Sequence, residues 1–371
     1  MPYGTVNADV IQTSTTGGIL GAGNASIMKN RIINGAMVID QRNAGASVAT
    51  TTLASGDIYC LDRWVLQGSQ NSKFTAQQNA GSVTPPAGFT NYIGITSSSA
   101  YSISAGDYFD FYQYIEGFNA ADLGFGTANA KTITLSFWAR SSLTGTFGGV
   151  VSNNNYSRCY PYSYTINSAN TWEYKTVTIA GDTSGTWLTT NGRGMQVSFG
   201  IACGSTYAGA AGSWSGTQYL GVVGQTSVVG TNGATFYITG VQLEVGSSAT
   251  GFEYVNYQTS LANCQRYYAK TTGNTSGAVG FGLSTGAATA TVYAKCPTTM
   301  RTTPTVSQSS TTVSDCVTYT PTVTSIAGAN YTIDSVRLDL NTNAGTTMTT
   351  YRPCTYQLNG SSGFVAFSAE L

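Results

Sequence analysis

The chain has 371 residues, among them 44 Gly and 24 Tyr, with only 9% charged residues and Lys plus Arg matching Asp plus Glu at 16 each. The zero net charge removes the counterion-release attraction that nucleic-acid binding relies on, and the complete absence of His removes the commonest general base and every Ser-His-Asp or Cys-His nucleophile pair. What is left is the profile of an all-β, turn-rich protein of two or three domains whose near-neutral surface favours assembly.

In chain order, residues 1–29 carry the turn cluster TTGGILGAGNAS and read as an extended N-terminal arm. The start has neither the basic residues nor the apolar run of a signal peptide, and no later stretch approaches the ~20 apolar residues of a membrane span. The expected product is soluble, made in the cytoplasm, with no membrane insertion.

Residues 30–257 follow as short alternating strands between Gly, Asn and Ser turns. In KTITLSFW, Ile133, Leu135 and Phe137 alternate with Thr134, Ser136 and Trp138; in MQVSFGI, Met195, Val197, Phe199 and Ile201 take one phase. YKTVTI puts Val177 and Ile179 inward, and DFYQYIE separates Phe111 and Ile115 from Tyr112, Tyr114 and Glu116. Many half-buried antiparallel strands predict two packed sheets, a jelly-roll β-sandwich of the carbohydrate-binding-module type, with an immunoglobulin-like Greek key as the alternative. Residues 258–269 break the alternation: Leu261, Cys264 and Tyr268 share one helical stripe, which predicts a short helix that cannot stand alone. Residues 270–371 return to alternation in TATVYAK, YTIDSVRLDL and GFVAFSAEL and read as a second, β-rich C-terminal domain.

Chemistry is sparse. Seven Cys without paired spacing offer no zinc site and read as buried thiols, or as a disulfide of Cys296 or Cys316 with Cys354. No cofactor is expected beyond a structural calcium ion near Asp107 or Asp182. A two-carboxylate glycosidase would have to draw on Asp110 and Glu116, or Glu173 and Asp182, residues that fit turn caps and hydrogen-bond partners better. The stronger candidates are aromatic. Tyr112, Tyr114, Trp138 and Tyr174 fall on the outward phase of their strands and could form a platform on which sugar rings stack, or a packing face. Tyr156, Arg158 and Trp214 sit in Gly, Ser and Asn-rich loops suited to recognition, with Arg158 able to grip an acidic sugar. Arg31, Asp40, Arg42, Asp62 and Arg63 concentrate the ions of a charge-poor chain, and pairing among them would fix the entry of the arm into the sandwich.

Four words recur in order along the chain: NRIINGAMVIDQRNAG at 30–45, LDRW at 61–64, ITGVQLEVGS from 238, and FEY followed by CQRYY at 264–268. With the β-rich sequence between them they resemble bacteriophage and prophage virion proteins of the tail-fibre or host-attachment kind. The resemblance runs from about residue 1 to 270 and implies a non-enzymatic, adhesive structural role on a phage particle. It further implies a homotrimer, with Leu261, Cys264 and Tyr268 meeting around an axis, contacts to other virion proteins through the arm, and a glycan of the host surface as ligand. A head fibre or capsid decoration protein, and a glycan depolymerase, are the alternatives.

Overall fold

The computed structural model describes residues 28–273, 276–317, 319–343 and 347–371, with the backbone of a short antiparallel hairpin, Val10–Gln12 against Ile19–Gly21, ahead of them. The rest of the predicted arm lies outside the described residues. Two six-stranded sheets form a jelly-roll sandwich. The front sheet runs Cys159–Ile166, Gly145–Ser152, Arg193–Cys203, Tyr108–Glu116, Trp64–Gly68, Ile58–Leu61. The back sheet runs Glu173–Ile179, Ile133–Ser141, Thr235–Val245, Ile93–Ser97, Phe74–Gln78, Val48–Ala49, and all pairings in both sheets are antiparallel.

Alternation places the core. Phe109, Phe111 and Ile115 of one front strand, and Met195, Val197, Phe199 and Ile201 of its neighbour, face Ile133, Leu135 and Phe137 of the back sheet, all fully or almost fully buried. Phe111 stacks on Phe199 at 5.3 Å, and Trp64 tilts against both. Each such side chain contributes ~1.5–3 kcal/mol of burial. One polar residue, Gln113, shares the inward phase of Phe111 and Ile115, and it is satisfied by two 2.8 Å hydrogen bonds with the backbone of Ile33.

Past residue 256 comes the helix Tyr257–Gln265, whose N-cap Asn256 accepts a 2.8 Å bond from the Thr259 amide. Beyond it, the strand Tyr268–Thr272 pairs with Phe364–Ser368 and Thr305–Ser309 in a three-stranded sheet. A six-stranded sheet, Thr311–Ser314, Pro353–Leu358, Ala278–Gly286, Thr289–Lys295, Ser335–Thr342, Val323–Tyr331, completes a second core around Val292, Leu338, Tyr356 and Phe367.

One expectation fails here. The helical stripe dissolves, because Tyr268 belongs to the strand after the helix and both it and Cys264 are buried within their own chain, leaving half-buried Leu261 as the exposed remnant. Neither Cys264 nor Tyr268 is available to a neighbouring copy. The cysteines follow the buried-thiol reading and not the disulfide alternative: all seven are thiols, six of them buried and Cys316 exposed. Among the described residues no helix is long and apolar enough to cross a membrane.

Candidate functional site

The four predicted platform residues stand on opposite faces of the sandwich. Tyr112 and Tyr114 do point outward from the front sheet, but they are 0% and 5% exposed because Val65, Tyr59 and the C-terminal Leu371 pack over them. Arg193 lies 4.1 Å over the Tyr114 ring, donates to its hydroxyl at 3.0 Å and to the Leu371 carbonyl at 2.9 Å, tying that cover down. Trp138 and Tyr174 belong to the back sheet, directly paired across strands with rings 5.3 Å apart. Trp138 is half-buried and Tyr174 45% exposed, so this pair alone keeps an open face. Strand phase told which residues leave the core; it could not tell that residues 250 positions away would cover one of the two outer faces.

The loop aromatics are also packed. Arg158 holds Asp182 through two bonds of 2.7 and 2.8 Å, and that carboxylate, 2% exposed, raises the guanidinium pKa. Trp214 donates to the Ala180 carbonyl at 2.7 Å and sits against Tyr160, Phe125 and Trp187, with ring centroids 5.2, 5.8 and 5.5 Å away. Tyr156 is half-buried with its hydroxyl against Tyr114 and Gln196 of the front sheet, and burial pushes that hydroxyl up. Arg158 is therefore not free for an acidic sugar. The two Asp residues expected near calcium are saturated as well: Asp182 by Arg158, and Asp107 by Ser69, Tyr101, Gln70 and the Ser104 amide, donors that outweigh desolvation and lower its pKa.

The recurring words, spread over 230 residues, converge on one joint. Asn30 donates to the Val241 carbonyl and accepts from the Leu243 amide, both at 3.0 Å, while its own amide meets Glu253 at 2.6 Å. Gly35 passes so close to that strand that a Cβ would stand 2.1 Å from the Val241 oxygen, and Gly240, at φ 63°, makes the bulge over which the Phe89 ring lies. Asn34 brackets the turn by bonding both backbone groups of Ile39 at 2.8 and 2.9 Å, and its carbonyl accepts from the Trp64 indole at 3.2 Å.

On the other side of the joint, Arg42 stacks on Tyr268 at 3.6 Å and pairs with Glu370 at 2.7 Å, and Arg63, 2% exposed, stacks on Tyr267 at 3.7 Å and pairs with the same Glu370. Burial alone would push the Arg63 pKa down; Glu370 leads the contacts that reverse this and hold it up. Glu116 accepts from Arg266 at 2.6 and 2.9 Å and from the Tyr267 hydroxyl at 2.6 Å, which carries its pKa below the ordinary value against the pull of desolvation. The predicted pairing of Arg31, Asp40, Arg42, Asp62 and Arg63 among themselves is corrected accordingly. Arg42 does approach Asp62, at 3.8 Å, but Arg31 pairs with Asp122, Asp40 caps the backbone of Asn43 and Gly45, and the dominant partner of Arg42 and Arg63 is the C-terminal Glu370.

Beside this joint opens a groove of about 650 Å³, within the range of ligand pockets, between the 28–38 segment, the 252–257 linker and the helix. Phe89, Phe252 and Tyr254 form its aromatic wall, each within 5.0–5.8 Å of the others. Tyr254 and Tyr257 are 63% and 60% exposed, and Asn263 and Thr259 offer polar side chains along the helix edge. The two guanidiniums that reach it, Arg31 and Arg266, are already neutralised by Asp122 and Glu116. Such a groove can stack flat rings and hydrogen-bond their edges, and the Glu253 carboxylate that also lines it, accepting from the Asn30 amide, adds an acceptor for hydroxyl groups. In the sequence FEY stands only as one word of the resemblance; the clue to a wall is three aromatics, Phe252, Tyr254 and Tyr257, in a linker with no strand phase to bury them.

No protein-family model matches this chain, and no curated protein matches it. Solved structures that align with this chain include a putative sugar binding protein from Bacteroides thetaiotaomicron, at 11% identity and TM-score 0.33 over 58% of this chain and 100% of that one. The family 11 carbohydrate-binding module from Clostridium thermocellum aligns at 12% identity and TM-score 0.28, covering 53% and 95%. The enzymatically active domain of tailspike protein 4 of bacteriophage CBA120 aligns at 12% identity and TM-score 0.32 over 59% of this chain, which spans 22% of that one.

Proposed function

We propose that this chain is a non-enzymatic virion structural protein of the phage tail-fibre kind that attaches to a host-surface glycan, with the groove beside the domain joint as its sugar site. The observation that carries the reading is the groove itself: an aromatic wall of Phe89, Phe252 and Tyr254, an exposed Tyr257 and uncommitted amide and hydroxyl groups, with every nearby guanidinium neutralised. Rings of this kind supply apolar area at little entropic cost, and neutral polar edges set orientation.

The state of the carboxylates supports the absence of catalysis. Glu116 is held by Arg266 and Tyr267, Asp182 by Arg158, and Glu173 by Lys175 with the amides of Asn167 and Ser168. Asp110 is fully buried with both carboxyl oxygens unpartnered, and desolvation raises its pKa well above the ordinary range, so it faces no open substrate path. Residence on the particle and assembly as a homotrimer belong to the same proposal, and mass photometry of the purified chain tests the trimer directly. The site is tested by binding of the full chain to an array of bacterial polysaccharides. The Tyr254→Ala, Tyr257→Ala double variant is expected to bind about tenfold more weakly or worse, because each ring contributes on the order of 1 kcal/mol. Unchanged binding by a correctly folded double variant removes the groove from the reading.

A further inference from the structure

The C-terminal domain has a second aromatic surface that the joint does not use. Its six-stranded sheet buries one face, where Val292, Ala294, Leu338 and Tyr356 fill the core. The opposite face carries Phe281 and Tyr293 as direct cross-strand partners, 65% and 60% exposed, with Leu283 46% exposed one row along. Cross-strand partners stand ~5 Å apart, so the two rings form one continuous ridge. Around it the face is polar. Leu283 pairs with Thr291, Thr291 donates to Asp339 at 2.6 Å, and Arg337, paired in register with Tyr293, reaches the same carboxylate at 3.1 Å. The cation and the anion cancel.

We propose that this outer sheet face is a saccharide-binding platform on the C-terminal domain, separate from the groove, with Phe281 and Tyr293 as the stacking ridge and Thr291, Arg337 and Asp339 as the polar edge that orients a neutral sugar chain. The composition of the two sheet faces decides the occupant. The inner face, which packs on protein, is apolar apart from buried hydroxyl residues such as Ser284 and Thr342, whereas this face alternates two rings and a leucine with hydroxyls and a neutralised ion pair. Its apolar part is also small for a second copy: with aromatic side chains of ~150–250 Å² each, the three exposed residues offer roughly 300–400 Å², against about 450–500 Å² of apolar area within the ~800 Å² that each partner of a stable interface buries. The ridge is of the size of a monomer's largest apolar patch, the kind that is often functional.

The test sets the full chain, the Phe281→Ala, Tyr293→Ala variant and the Tyr254→Ala, Tyr257→Ala groove variant against the same array of bacterial polysaccharides, with oligomeric state followed by sedimentation velocity. All four residues are exposed, so a thermal melt within error of the parent certifies the fold of each variant. The platform predicts that the Phe281, Tyr293 variant loses about tenfold or more of binding to at least one saccharide that the parent binds. If that variant binds every saccharide as the parent does, the platform is refuted, and loss in the groove variant alone then leaves the groove reading standing. If the ring substitutions instead convert an oligomer into a monomer, the face belongs to a second copy and the saccharide assignment is overturned. A parent chain that binds nothing on the array overturns both sites together.

Discussion

Removing the carboxylate of Glu370 should undo the docking of the two domains. Its side chain, 10% exposed, faces Arg63, which is 2% exposed and has for other company the Tyr114 carbonyl at 2.6 Å and the Tyr267 ring. Glu370→Gln keeps the shape and an acceptor oxygen but leaves a buried guanidinium without a counter-charge, a change that costs ~3–5 kcal/mol where no water can reach. The carbonyl and the ring that stay in place put the expectation at the lower end, about 3 kcal/mol. Arg42 adds little to the loss, since it is 15% exposed and stays stacked on Tyr59 and Tyr268. The assay is urea unfolding read by tryptophan emission, since all five Trp lie in the sandwich, and by proteolysis of the C-terminal domain, because two cores need not unfold together. A double-mutant cycle of Glu370→Gln with Arg63→Met isolates the pair. Coupling below about 1 kcal/mol, the scale of an exposed ion pair, would refute the reasoning: the C-terminal residues would then not be seated on Arg63 in solution.

Asp62 gives a pH test of the same joint. Burial pushes its carboxyl up to about 7, against the lowering effect of the Gln41 amide and Arg42. Between the ordinary value of 3.8 and about 7 the folded group keeps a proton that the unfolded one loses, so stability falls as pH rises through that window. Asp62→Asn should accordingly gain stability over the parent progressively across it, by on the order of 4 kcal/mol when complete; a difference that does not vary with pH from denaturant melts at three pH values would sink the idea. Arg158→Ala removes the partner of an Asp182 that is 2% exposed and should cost about 3 kcal/mol in a thermal or urea melt, while leaving polysaccharide binding by the folded protein unchanged. Lost binding at full folding would restore Arg158 as a recognition residue.

The sandwich was legible because alternation is a local signal. Ile133, Leu135 and Phe137, or Met195 to Ile201, announce a buried face from within a single strand, and the sheets that bury them follow from packing two such faces together. Exposure was not legible in the same way. Tyr112 and Tyr174 have the same phase relative to their own cores, yet one is sealed by Leu371 and Tyr59 and the other is open, because only the front sheet carries the C-terminal residues on its outer face. The helical stripe misled for a related reason: three residues at helical spacing fit a helix, but the pairing of Tyr268 with Ser368 draws the last of them into a sheet completed by Phe364–Ser368 and Thr305–Ser309 from far down the chain.

The charge-poor composition makes the joint more telling than its size suggests. A chain with only 32 Lys, Arg, Asp and Glu side chains commits Arg42, Asp62, Arg63, Glu116, Arg266 and Glu370 to a single seam, three of them stacked on or hydrogen-bonded by Tyr267 and Tyr268. Buried ion pairs add little net stability, so a cluster of this kind fits geometry better than strength as its purpose. Planar guanidiniums held between tyrosine rings and carboxylates accept few alternative registers. The seam therefore fixes the angle at which the second domain leaves the sandwich, and with it the mouth of the groove, whose walls at Tyr254, Tyr257 and the 28–38 segment belong to the same words of sequence. Loosening the seam at Glu370 should on this logic weaken saccharide binding at the groove without touching a residue that lines it, and should leave the Phe281 and Tyr293 ridge, built within one sheet of the distal domain, as it was.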